Sequence, residues 1–171
     1  MKKYFFLSLF AAGACFQIPV ATAQNVQNDW QNITEKTPSG DLCGLETKGL
    51  PFTFSLYQGQ GLFLLRLTDP SWGMGGDMSP QVTLKIGDYQ NSFLFKSHHL
   101  TTIESIIPAL EMAKIEAALG NAKTASFSFN GLEPNIFSLE KIGDKVSAFQ
   151  NCALGLSKGT VSMLNGNAAL S

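Results

Sequence analysis

Histidine is nearly absent from this chain: its 171 residues contain two, His98 and His99, side by side. On a strand, neighbouring side chains point to opposite faces, so the pair is badly placed to grip one metal ion. The plainer reading is a solvated strand end, or one imidazole packed against the following helix. No Gly-x-Ser-x-Gly elbow occurs and no metal-ligand spacing is visible, so no catalytic residue, metal or other cofactor is expected. Basic charge is also short, with 12 Lys and Arg against 13 Asp and Glu. That balance excludes a nucleic-acid binder working through a basic face. Long apolar runs are missing as well: none approaches the roughly 20 residues that cross a bilayer as a helix.

What the chain does have begins at its start. Met1-Lys2-Lys3, an apolar run from Tyr4 to about Ala14, and Ala21-Thr22-Ala23 read as a secretory signal peptide over residues 1–23. Pro19 breaks the apolar helix before the cleavage segment, and the mature chain is expected to begin at Gln24. Ala12-Gly13-Ala14-Cys15 offers a lipid-anchor alternative, but the usual Leu is missing and apolar Phe16, Ile18 and Val20 follow. Cleavage takes Lys2 and Lys3 away, which lowers the 12 basic residues to 10 and leaves the mature chain net acidic. The expected location is the periplasm or the outside of the cell, with no membrane-spanning segment once the leader is removed.

Export decides how the cysteines are read. Of the three, Cys15 leaves with the leader, and Cys43 and Cys152 remain. In an oxidising compartment two such cysteines are expected to pair. The competing reading, a catalytic thiol, needs a His partner, and neither cysteine has one nearby in sequence.

Residues 24–49 are polar and read as an N-terminal arm carrying Cys43, with Trp30 docked on the core. A core domain is expected over 50–154. Phe52, Phe54 and Leu56 alternate with polar residues, and Leu62 to Leu67 is a short apolar run. Gln81 to Ile86, Ser92 to Lys96, Thr124 to Phe129 and Ile136 to Leu139 complete the expected strands. Pro108 to Leu119 predicts a helix with Gly120 placed to cap it, and apolar spacing predicts another over about Lys141 to Ala153. Leu100 to Ile107 fits no single pattern. Residues 155–171, small and polar, read as a loosely held tail.

Between Ser71 and Pro80, Trp72 sits among Gly73, Gly75, Gly76 and Asp77. A phosphate-cradling loop would be followed by a helix, whereas here a strand follows, so a mobile strand connection is expected. An aromatic among glycines can protrude, which makes Trp72 and Asp77 the candidate binding residues. An exposed sheet face is the other candidate surface. A hydrolase built on Asp69, Asp77 or Asp88, or a secreted inhibitor of another enzyme, stands as the alternative.

The strand ending at Asp69-Pro70, the strands at Val82 to Ile86 and Phe93 to Phe95, the helix ending Ala117-Ala118-Leu119-Gly120-Asn121-Ala122, and Phe137-Ser138-Leu139 leading to Ala148-Phe149-Gln150-Asn151-Cys152 together resemble the exported proteins of the invasion-associated locus B type. The resemblance spans roughly Leu62 to Cys152. It implies a small periplasmic or secreted β-rich domain without catalytic residues, linked in some relatives to host-cell association. The expectation from the whole chain is a single α+β domain, mainly one antiparallel sheet with two helices on it. Its expected role is a non-enzymatic binding protein whose partner is an unknown protein or envelope component.

Overall fold

Two antiparallel sheets, not one, share the core. The computed structural model describes residues 28–130 and 132–166, and their side chains apart from those at 98 and 157–166. The expected leader, its cleavage site and Gly131 of the expected Asn130-Gly131 turn lie outside these residues. Ten strands are described: β1 (Asp29–Thr37), β2 (Gly40–Lys48), β3 (Thr53–Gly59), β4 (Leu62–Thr68), β5 (Gln81–Ile86), β6 (Tyr89–Leu94), β7 (Lys96–His99), β8 (Thr102–Ile106), β9 (Thr124–Phe129) and β10 (Asn135–Ser138). Two helices accompany them, α1 (Ala109–Leu119) and α2 (Gly143–Gly166). The six-stranded sheet runs β1-β2-β3-β4-β8-β7 and the four-stranded sheet β10-β9-β5-β6.

The chain passes between sheets at Phe95, which lies outside both strands and is buried at 2% exposure. Alternation told which residues face inward but not which strand partners which, and that is why one sheet was expected. The ambiguous stretch around Leu100 to Ile107 is β8, paired with β4 from Leu64↔Ile106 to Thr68↔Thr102.

The supposed N-terminal arm is in fact two strands. Polar β1 pairs with β2 along its whole length, from Asp29↔Lys48 to Thr37↔Gly40. Its one buried large side chain, Trp30, donates from Nε1 to the Ser138 carbonyl at 3.1 Å. Asn28 grips the same residue from both sides, its Nδ2 donating to Ser138 O and its Oδ1 accepting from Ser138 N. β10 is thereby clamped to the beginning of β1. Around this clamp Phe52, Phe54, Phe127 and Phe137 join the two sheets, with Phe52 edge-on to Phe127 at 4.8 Å between centroids.

α1 packs on β5 and β6 through Met112, Ile115 and Leu119, and α2 packs on β1, β2 and β3. Pro108 is the N-cap of α1, and Gly120 occupies the C-cap in a right-handed conformation. α2 does not end near Ala153 but continues to Gly166, so the expected tail is helical over most of its length, and residues 167–171 lie outside the described chain. Cys43 on β2 and Cys152 on α2 form a disulfide, with Cα atoms 5.9 Å apart. Gly59 marks where β3 passes close to β2: a Cβ there would stand 2.6 Å from the Asp41 carbonyl oxygen. Among the described residues, no helix is long and apolar enough to cross a membrane.

Candidate binding surface

Asp69 shapes the entry to the Trp72 loop. Its Oδ1 accepts hydrogen bonds from the Ser71 amide at 2.8 Å and the Ser71 hydroxyl at 2.6 Å, and its carbonyl accepts from the Trp72 amide. The loop is then fastened along the β7–β8 hairpin. Asp69 N donates to Thr101 O, Met74 N to Leu100 O at 2.7 Å, and Ser97 N to Met78 O. Phe95 N closes the far end on Pro80 O. A mobile connection was expected, and these bonds tie the loop to its neighbours at Asp69, Met74, Met78 and Pro80.

Trp72 does not protrude. It is half-buried against the main core, its ring edge-on to Phe129 with 5.4 Å between centroids and 83° between planes. Trp72, Met74, Met78, Pro80, Phe129 and Leu132 line an open hollow of about 370 Å³, with Gln81 and Asn130 at its rim. Met78 and Leu132 present much of their surface to solvent, Leu132 being 66% exposed. Asp77, the other expected binding residue, does not line the hollow. It lies exposed beside Met78 in the chain, as Glu133 does beside Leu132, and no cation is among the lining residues. Sequence reasoning missed Leu132, Phe129 and the methionines, because Phe129 and Leu132 meet the loop only through the fold.

The other expected surface, an exposed sheet face, has its own organisation on the outer side of the six-stranded sheet. Arg66 on β4 donates from Nη1 to Glu35 at 2.6 Å and from Nε to Glu104 at 2.5 Å. Its guanidinium carbon stands 4.5 Å from the Tyr57 ring centroid. Burial alone would lower the Arg66 pKa, but the hydrogen bonds that Arg66 donates to Glu35 and Glu104 outweigh it and hold the group more firmly charged. Burial likewise raises the Tyr57 hydroxyl above its ordinary value. Beneath the guanidinium lies a second apolar cluster of Leu42, Tyr57 and Leu64, flanked by Ile33 and Leu62. Sequence reasoning passed over Arg66 inside a run read as apolar, although a lone charge there was the signal that could have found it. Its partners were not visible in the sequence.

The acids considered for hydrolysis are dispersed. Asp69 is held in its turn, Asp77 is exposed in the loop, and Asp88 is exposed in the β5–β6 turn. His99 is exposed at the end of β7, beside a register shift between Ser97 and His99. Among the described residues no group of His, Cys, Asp and Glu could hold a metal ion. No family model, curated protein or solved structure matches the chain.

Proposed function

We propose that this chain is an exported, non-enzymatic binding protein of the bacterial envelope or exterior, and that the hollow beside Trp72 is its contact site. One observation carries this reading: an apolar hollow, open at Met78 and Leu132, is built on a fastened loop and on a strand end. Pre-set walls reduce the ordering cost of binding, and a rigid aromatic wall suits a single apolar side chain. Asp77 and Glu133 are exposed next in sequence to the lining residues Met78 and Leu132 and no cation lines the hollow, so the partner segment is taken as an apolar residue flanked by basic ones. Export rests on the leader over residues 1–23 and is in keeping with the Cys43–Cys152 disulfide. Host or envelope association, the role that the invasion-associated locus B resemblance implies, is compatible with such a site.

The test is photo-crosslinking in a bacterium that exports the protein, with the photoreactive residue placed at Leu132 or, as control, at Asp88. A discrete adduct from Leu132 alone is expected. Equal labelling from both positions, or none from either, would overturn the reading.

A further inference from the structure

A second hollow lies on the outer face of the six-stranded sheet, at the corner where the chain passes from one sheet to the other. Leu62, Leu64, Leu94 and Ile106 make its apolar part, and Lys96, Ser97, Glu104 and Ser105 close the other end, around about 550 Å³. Two of the apolar residues are conspicuously bare: Ile106 is 74% and Leu94 62% exposed. The charges at the polar end are unequal. Glu104 is cross-strand partner to both Lys96 and Arg66, but its carboxylate is taken by Arg66 at 2.5 Å. Lys96 is exposed and forms no ion pair among the described residues. The hollow therefore combines an aliphatic trough with one exposed ammonium at its end that is held in no ion pair among the described residues.

We propose that this hollow binds a fatty carboxylate of medium chain length, its aliphatic chain along Leu64, Leu94 and Ile106 and its carboxylate on the Lys96 ammonium. The volume lies within the usual range for small-ligand sites, roughly 300–1,000 Å³. The apolar part supplies binding through surface removed from water, and Lys96 selects the charge of the head. Ser97 and Ser105 direct their hydroxyls at the His99 and Leu94 carbonyls, so each keeps acceptor capacity only and adds no donor for the head. Lys96 is the one cationic side chain in the lining, and the carboxylate across from it, Glu104, is held by Arg66. This site is separate from the Trp72 hollow and does not depend on the reading of that hollow.

The experiment is a methyl NMR titration of the disulfide-bonded protein with monomeric decanoate, decanol and decyltrimethylammonium. Saturable shifts of the Leu94 and Ile106 methyls are expected with decanoate, weaker ones with decanol and the weakest with the cation. Lys96→Gln should weaken decanoate binding about fivefold, to the level of decanol. Ile106→Asp, a change at an exposed position, should abolish it with the near-ultraviolet circular dichroism unchanged. Trp72→Ala should leave it unaltered. Equal binding of decanoate and decanol that is indifferent to Lys96→Gln would overturn the proposal, as would shifts confined to the Trp72 hollow. Association with anionic phospholipid vesicles but not with monomeric decanoate would overturn it in favour of a membrane surface.

Discussion

Trp72 stands edge-on to Phe129, 5.4 Å between ring centroids, so a loop residue forms one wall of a hollow whose other wall is the last residue of β9. This relationship makes Trp72 part of the core margin and part of the contact site at once. Trp72→Ala is expected to lower the melting temperature and also to weaken partner binding by about 1–3 kcal/mol. Leu132→Asp separates the two effects. Leu132 is largely exposed, so that change should remove binding while the melting temperature measured by calorimetry stays near the parent value.

The Cys43–Cys152 bridge ties α2 to β2 across 109 positions. Replacing both cysteines with Ser should destabilise the protein by about 2–5 kcal/mol, read from urea unfolding. Mapping of unreduced peptides should recover the two cysteine peptides linked. Free reaction of both thiols with an alkylating reagent in the folded, periplasm-derived protein would contradict the bridge.

Removing the Arg66 guanidinium leaves Glu35 and Glu104 without their shared cation, and uncovers Tyr57. Arg66→Ala is expected to cost about 1.5–3 kcal/mol in urea unfolding, the range for hydrogen bonds to charged groups. Arg66→Lys should restore only part of it, because an ammonium lacks the planar fork that reaches two carboxylates.

Much of the fold was legible in the sequence where one face of a strand is buried. β5 and β9 alternate cleanly, β3 alternates in residue type although both of its faces are buried, and α1 shows good helix formers over its whole length. β1 was not legible, because of its nine residues only Trp30 is buried and its pairing with β2 is set by backbone bonds. β2 was hidden for the opposite reason: Leu42, Cys43, Gly44 and Leu45 are all buried, two on each face, which erases the alternation. The candidate site was half visible. Trp72 and its glycines marked the loop, whereas Phe129 and Leu132 come from a distant segment brought there by β9 pairing with β5.

The glycines divide into two kinds. A Cβ at Gly75 or Gly76 would meet nothing within 4 Å, and neither has a left-handed backbone. Ala at either position should be neutral or stabilising, by up to about 1 kcal/mol, through the unfolded chain. Gly59→Ala should instead be clearly destabilising in the same thermal unfolding assay, because the Asp41 carbonyl blocks the new methyl.

Glu111 on α1 gathers Lys114, the Tyr89 hydroxyl and the Asn91 amide, and these hold its carboxyl below the ordinary range, Lys114 contributing most. A lowered folded-state pKa gives stability that is present above the ordinary carboxylate value of about 4.3 and is lost as pH falls through the folded value. Glu111→Gln should therefore melt below the parent at neutral pH, and the gap should close on acidification. A gap that widens below pH of about 4 would contradict this sign.

The central claim is tested most directly by fluorescence of Trp72. The chain has two tryptophans, so Trp30→Phe leaves Trp72 as the single emitter, with folding verified by near-ultraviolet circular dichroism. The titrant is a short peptide with one Leu flanked by lysines, compared with the same peptide flanked by aspartates. A saturable change in Trp72 emission is expected with the lysine peptide alone, and Leu132→Asp should abolish it. No change with the lysine peptide, or an equal change with both peptides that survives Leu132→Asp, would contradict the account.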